Sequence, residues 1–265
     1  MKFDVTIPHG GLNGSLDMCV THILNQTMQP AAIRVLIDSE VTLQPSPWLI
    51  RMCRQEGVLF QMIYDDRTTS IIDMRIKLLY MTRSPIAITV DDDMILHHSA
   101  FEYLIDEYLR HNNDDHNVPF VEGHRIEIGG RKDSMFSTHE RKQVSEAQLD
   151  IAEPQSFGDT ALLLMNVDQF KSLDRTKLLK HYDGRNIGGS DFAWTSIIAQ
   201  KYGPGRACPR AYGWHTASEQ KGYWKNYAMA DRVFDLHFKQ GANDDDQLAS
   251  SAPNDSGSSG PPVVN

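Results

Sequence analysis

The sequence predicts an α/β protein with a layered, mostly parallel central sheet flanked by helices. Short apolar runs rich in β-branched residues alternate with segments whose apolar residues recur at helical spacing. Strands that alternate with helices form mostly parallel sheets. Every one of the first four predicted strands ends in polar or turn-forming residues, and three of them end at aspartates. Ligands bind at the carboxyl ends of the strands in such sheets, so this edge is the expected site.

The first half of the chain shows the alternation most regularly. Predicted strands cover Phe3–Pro8, Ile33–Ile37, Leu59–Tyr64 and Ile86–Val90. Predicted helices begin at Ser15, which suits a helix cap, cover residues 70–81, and occupy the amphipathic stretch 101–109.

The second half is less regular. It contains predicted strands at Pro119–Ile128, Thr160–Val167 and Arg210–His215, and a helix at Asp191–Tyr202 that stops at Gly203-Pro204. Residues 129–156 are polar and are predicted to form a long loop.

Composition excludes several classes of protein. The 265 residues carry 26 basic and 35 acidic side chains, a net charge of -9, which argues against a general polyanion binder. No apolar run has the length of a membrane span, and the N-terminus lacks a signal-peptide core, so we expect no integral membrane segment. Three scattered cysteines are too few for a disulfide framework, which favours a reducing, cytoplasmic location.

The C-terminus marks a domain boundary. From about Gln240 the chain becomes rich in Asp, Ser, Gly and Pro, and such a segment cannot bury enough apolar surface to offset its ordering entropy. We therefore predict one catalytic domain over residues 1–240 and a disordered tail over residues 241–265.

The strongest chemical feature is Asp91-Asp92-Asp93, directly after the fourth predicted strand. Three adjacent carboxylates repel one another, and a divalent cation resolves that conflict. In an extended segment Asp91 and Asp93 point to the same side, and carboxylate oxygens suit Mg²⁺ or Mn²⁺. A solvated acidic turn with one helix-capping aspartate fits the pattern equally well.

Two further residues are candidates on their position. Asp191 follows Gly188-Gly189-Ser190 at the start of a helix, where it is either an ordinary N-cap or a general base kept ionised by the helix N-terminus. His215 follows the last predicted strand, where it is either a packed residue or a metal ligand.

Taken in order, these motifs resemble family 2 glycosyltransferases, which have the GT-A fold, over residues 3–217. The matching segments are Val5-Thr6-Ile7-Pro8, Gln26 before the second strand, Asp38 at its end, Arg75 sixteen residues before Asp91, Asp91-Asp92-Asp93, Gly158 before an apolar strand, Ser190-Asp191, Pro209-Arg210-Ala211 and His215. Departures from the family pattern include His9-Gly10-Gly11, Ile76 and Leu78 in place of Asn and Gly, and Ser190 in place of Glu. The chain is therefore similar to a divergent member.

The resemblance implies a Rossmann-like GT-A sheet and a hexosyltransferase-type enzyme. It implies inverting, metal-dependent transfer of a sugar from a nucleotide-diphosphate donor, with a UDP-sugar expected, to an acceptor hydroxyl. The residues it assigns to donor binding are Pro8, His9, Asp38, Arg75, Asp91 and Asp92. It assigns Mn²⁺ or Mg²⁺ to Asp93, Asp91 and His215, and the role of general base to Asp191.

Two other functions stay open at this point. Nucleotidyl transfer uses related sheets with Mg²⁺, although the loop after the first strand lacks the basic, glycine-rich signature of that class. A non-catalytic nucleotide-sugar-binding module is the second. The acceptor is not readable from the sequence and is a glycan, a lipid-linked sugar, a protein side chain or a modified nucleobase.

Overall fold

The computed structural model of the chain describes residues 1–9, 15–38, 46–65, 71–112, 118–127, 154–155, 160–174 and 190–215. The tail predicted for 241–265, the domain boundary at 240 and most of the predicted loop 129–156 lie outside these residues. Within the described part, no helix is long and apolar enough to cross a membrane.

One mixed sheet organises the described chain. Its strands are β1 (Phe3–His9), β2 (Ala32–Asp38), β3 (Leu59–Asp65), β4 (Ile86–Val90), β5 (Met94–Leu96), β6 (Phe120–Glu127), β7 (Pro154–Gln155), β8 (Leu162–Asn166) and β9 (Gly205–His215). They lie in the order β3-β2-β1-β4-β8-β6-β9-β5, and β7 pairs with β9. Strands β3, β2, β1 and β4 are mutually parallel. Strand β8 is antiparallel to both β4 and β6, β9 is parallel to β6, and β5 is antiparallel to β9.

Helices cover both faces of this sheet. They are α1 (Ser15–Leu24), α2 (Pro47–Gln55), α3 (Ile71–Met81), α4 (Ala100–His111), α5 (Val167–Lys171) and α6 (Ser190–Tyr202). The alternating side chains of the strands contribute to apolar cores on the two faces of the sheet. On one face Val5, Ile88 and Leu164 belong to the core formed with α1, α2 and α4. On the other, Ala87 and Leu163 belong to the core formed with α3, α5 and α6.

Gln26 connects the end of α1 to the start of α4. Its side-chain amide nitrogen donates to the carbonyl oxygens of His22 at 3.2 Å and His97 at 2.8 Å, and its amide oxygen accepts from the backbone N–H of Phe101 at 3.1 Å. Because the side chain of Ser99, the residue before α4, makes no capping hydrogen bond, Gln26 satisfies a helix donor in its place.

Strand β9 bends where its register with β6 shifts. Gly123 pairs with Cys208 while the next residue, His124, pairs with Tyr212, so the segment containing Pro209 bulges out of the ladder. This bulge suits proline, which has no N–H to donate to a sheet. Beyond the bulge, β9 continues to His215 and reaches the carboxyl end of β4.

The predicted α/β fold with a mostly parallel sheet is confirmed, and the predicted strands and helices of the first half are present. The sequence did not predict α2, which buries only Leu49 and Cys53, or the three-residue strand β5. Strand β9 begins at Gly205, five residues before the predicted start at Arg210, because pairing with β6 extends past the proline.

Candidate functional site

The acidic motif lies in a tight turn at the carboxyl edge of the sheet. The backbone N–H of Asp91 donates to the carbonyl oxygen of Ala161 at 3.1 Å, which extends the β4–β8 ladder by one residue. The N–H of Met94 then donates to the carbonyl oxygen of Asp91 at 3.3 Å. The segment predicted to be extended is therefore a turn, and the chain leaves it directly into β5.

Two carboxylates of this turn converge on His215. The Nε2 atom of His215 lies 3.0 Å from Oδ1 of Asp93 and 3.9 Å from Oδ2 of Asp91. One ligand atom from each of the three residues lies within 4.8 Å of the others. The cause is the register of β5 and β9, which sets Met94 opposite His215 and so brings the end of β9 beside the turn.

The composition of this group fits a divalent cation. Carboxylate oxygens are the ligands that Mg²⁺ and Mn²⁺ prefer, and an imidazole nitrogen is a ligand of transition metals. The three side chains are neither fully buried nor fully exposed. A cation between them would also relieve the repulsion of the adjacent carboxylates. We refer to Asp91, Asp93 and His215 as the ion group.

Arg75, on α3, fixes the first carboxylate of the turn. Its Nη2 atom donates to Oδ1 of Asp91, which leaves Oδ2 of Asp91 on the side of His215. The guanidinium of Arg75 is buried on α3, so the pair is shielded from solvent more than a surface ion pair is. The family resemblance assigned Arg75 to donor binding, and the structure places it in contact with Asp91 of the ion group.

His9 holds the middle carboxylate of the turn. The last residue of β1 is fully buried, and its Nδ1 atom is hydrogen-bonded to Oδ2 of Asp92. Burial raises the pKa of the Asp92 carboxyl, and the charges of Asp93 and Asp91 add to the increase, whereas the bond to His9 opposes it. The net result is a pKa above the ordinary value for an aspartate.

Cys19 is a contact of the site that the sequence did not reveal. This fully buried residue of α1 donates its thiol hydrogen to the carbonyl oxygen of Asp91, with Sγ and O 3.3 Å apart. Burial raises the thiol pKa far above its ordinary value, and the three neighbouring aspartates add to the increase. The pattern showed Cys19 only as an apolar position on a helix, because a lone buried cysteine has no local signature.

The remaining predicted residues lie on strand ends or at the start of a helix. Pro8 is buried near the end of β1, Asp38 is the last residue of β2, and Asp191 is the second residue of α6. The side chains of Asp38 and Asp191 lie outside the described part of the structure, so their assigned roles stay predictions. The structure therefore brings together Arg75, Asp91, Asp92, Asp93, His9 and His215.

A second charged group lies beside Asp38. Asp65 is paired with Asp38 in the register of β2 and β3, and its Oδ2 accepts from Lys77 at 2.8 Å. Lys77 also donates to Asp73 at 2.7 Å. Burial lowers the pKa of Lys77, but the hydrogen bonds to the two aspartates outweigh it, so the pKa is raised overall. The sequence placed Asp65 at a strand end and gave it no role.

Comparison with solved structures identifies the architecture. The structure of S. aureus TarS 1-349 in complex with UDP-GlcNAc aligns with a TM-score of 0.60 over 89% of this chain and 65% of that one, at 12% sequence identity. The chain has a GT-A glycosyltransferase fold. TarS 1-349 in complex with UDP matches with a TM-score of 0.53 over 82% of this chain and 61% of that one, at 13% identity. A longer TarS structure matches with a TM-score of 0.57 over 82% of this chain and 37% of that one, at 12% identity.

Comparison at the level of sequence gives no match. No protein-family model matches the chain, and no curated protein matches it. The chain spans less than two thirds of the length of each TarS structure it resembles. At these identities the likeness establishes the GT-A fold and leaves the activity to be argued from the site.

Proposed function

We propose that this chain is an inverting, metal-dependent glycosyltransferase of the hexosyltransferase type, related to family 2. It transfers a sugar from a nucleotide-diphosphate donor, a UDP-sugar, to an acceptor hydroxyl. The observation that carries the proposal is the ion group, in which Asp91, Asp93 and His215 meet at the carboxyl edge of a GT-A sheet. The TarS structures support the donor class, since two of them hold UDP and UDP-GlcNAc.

The donor carries negative charge into an acidic molecule. With a net charge of -9, the chain needs a positive group where the diphosphate lies. Asp91, Asp93 and His215 would hold Mn²⁺ or Mg²⁺, and when bound this cation supplies charge stabilisation for the leaving diphosphate. Pro8, His9, Asp38, Arg75, Asp91 and Asp92 remain the residues proposed to shape the donor side.

The chemistry at the sugar is a single displacement. The acceptor oxygen forms a bond to the anomeric carbon, the bond from that carbon to the diphosphate oxygen breaks, and the diphosphate leaves with the electron pair. Attack from the opposite side inverts the configuration. Asp191 accepts the proton of the acceptor hydroxyl, and its place in the first turn of α6 favours the ionised carboxylate that this role requires.

Donor hydrolysis tests the proposal without knowledge of the acceptor, because water replaces it. The full chain is incubated with UDP-GlcNAc or UDP-glucose and Mn²⁺, and released UDP and free sugar are quantified. We expect turnover that EDTA removes and that Asp93→Asn lowers by at least about 100-fold, because the variant loses one charged ligand. Asp106→Asn, the same change at an exposed position of α4, serves as the matched control and should keep the wild-type rate.

The products also separate the other functions. Release of pyrophosphate from a nucleoside triphosphate, with no UDP from the sugar donors, would indicate nucleotidyl transfer. Donor binding without turnover of any kind would indicate a binding module. Turnover that is unaffected by both EDTA and Asp93→Asn would contradict the assignment of the ion group.

A further inference from the structure

The middle residue of the acidic turn has a role different from its neighbours. Asp91 and Asp93 face His215, whereas the carboxylate of Asp92 is bonded to Nδ1 of His9 and is not part of the ion group. Without such a difference, any two of the three successive carboxylates could bind the cation, and the turn could adopt several conformations. Some contact must therefore keep the carboxylate of Asp92 away from the ion group.

His9 is well placed to do this. It is the last residue of β1, an inner strand between β2 and β4, and it is paired with Ile37 of β2, which fixes its backbone. The imidazole is completely buried, and within the described part of the chain its Nε2 atom has no hydrogen-bond partner. The polar contact described for this side chain is therefore the one to Asp92, and breaking a buried pair of this kind leaves an uncompensated carboxylate.

The backbone of the turn is held at a second point. Cys19 of α1 donates to the carbonyl oxygen of Asp91, which belongs to the peptide group that joins Asp91 to Asp92. With Arg75 on the carboxylate of Asp91, three elements fix the first two residues of the turn. Asp93 is then left as the residue that turns toward His215, 3.0 Å away.

We propose that His9 is a positioning residue for the ion group. By holding Asp92 it selects the arrangement of the turn in which Asp91 and Asp93 face His215, and so it sets the affinity for the cation without touching it. This inference rests on the ion site of the proposed function. It gives His9 a part distinct from contact with the donor, the role that the resemblance implied.

Mn²⁺ titration of the full-length chain, followed by the electron paramagnetic resonance signal of free Mn²⁺, tests the inference without donor or acceptor. His9→Leu fills the buried position but removes the hydrogen bond, and we expect its Kd to rise by roughly 10- to 100-fold, as for other residues that orient metal ligands. His9→Asn keeps a nitrogen near the position of Nδ1 and should recover most of the affinity. His98→Ala, at an exposed histidine, is the matched control.

A double-mutant cycle shows whether His9 acts through Asp92. Asp92→Ala should weaken Mn²⁺ binding, and the combination with His9→Leu should weaken it no further. A His9→Leu chain that binds Mn²⁺ as tightly as the wild type would overturn the inference while the ion site stands. Equal weakening by His9→Leu and His9→Asn, or additive effects in the cycle, would also overturn it. A wild-type chain that binds no Mn²⁺ would overturn the ion site and this inference together.

Discussion

A conservative mutation of Asp191 distinguishes a role as general base from a role as helix cap. It lies in the first turn of α6, where an aspartate either stabilises the helix or serves as the base for the acceptor hydroxyl. Asp191→Asn keeps the size and the hydrogen-bonding oxygen but removes the basicity. We expect donor hydrolysis to fall by about 10²- to 10⁴-fold, while the Kd for UDP-GlcNAc, measured by calorimetry, stays within about twofold.

Gln200→Ala provides the comparison for Asp191, because Gln200 is exposed on the same helix. It should change neither hydrolysis nor donor binding. If Asp191→Asn instead lowers the melting temperature and donor affinity together with the rate, Asp191 is a helix cap and the base lies elsewhere.

The pairing of β9 with β6 and β5 brings His215 to the ion group. Gly123 of β6 marks the bulge, and a Cβ atom there would lie 2.5 Å from Cδ2 of Leu162 and 2.7 Å from the carbonyl oxygen of Ala211. The second neighbour is backbone of β9 itself. A side chain at Gly123 would therefore push β9 and, through it, His215.

Gly123→Ala should lower the free energy of unfolding by roughly 1–3 kcal/mol, the usual effect of overpacking a buried position. Urea unfolding measures this loss. Mn²⁺ affinity should fall as well, because His215 is carried on the displaced strand. Gly57→Asn is the comparison: Gly57 has φ of +70° with nothing within 4 Å, so the substitution adds backbone strain without a steric clash, and we expect the Mn²⁺ affinity to stay unchanged. An unchanged unfolding curve for Gly123→Ala would contradict the role assigned to the bulge.

Local patterns were sufficient for the elements that carry long apolar runs. Strand β4 and its acidic end were predicted because five apolar or β-branched residues are followed directly by three aspartates. Strand β5 was not predicted, because three residues give no periodicity and its partner β9 lies far along the chain. The same non-local pairing sets Met94 opposite His215. The sequence therefore indicated the acidic turn and His215 as candidates, but it did not show why they lie close together.

The contacts around the turn show the same limit at finer detail. The spacing of Arg75 and Asp91 was visible in the sequence, yet their ion pair depends on how α3 packs against the sheet. The family resemblance assigned His9 to the donor side, whereas its bond to Asp92 depends on β1 and β4 lying side by side. Burial and neighbouring charges, which set the raised pKa of Asp92, exist only once the chain is folded.

The net charge of the chain bears on how the proposed anionic donor would bind. The chain has a net charge of -9, and three of its aspartates are concentrated at the carboxyl edge of the sheet. A UDP-sugar approaching this edge meets like charge, and repulsion of this kind weakens binding unless a cation lies between the two. Under the proposed function, we therefore expect metal and donor to bind cooperatively.

Thermal unfolding with combinations of ligands measures this cooperativity. A donor present at about 100 times its Kd stabilises the folded state by about 2.7 kcal/mol, which for a protein of this size raises Tm by roughly 5–10 °C. We expect UDP-GlcNAc to give such a shift with Mn²⁺ and little shift with EDTA, and Asp93→Asn to remove the difference. Because coupling is reciprocal, UDP-GlcNAc should tighten Mn²⁺ binding by the same factor. Equal donor shifts with Mn²⁺ and with EDTA would contradict a bridging cation, since the donor would then be held by the protein alone.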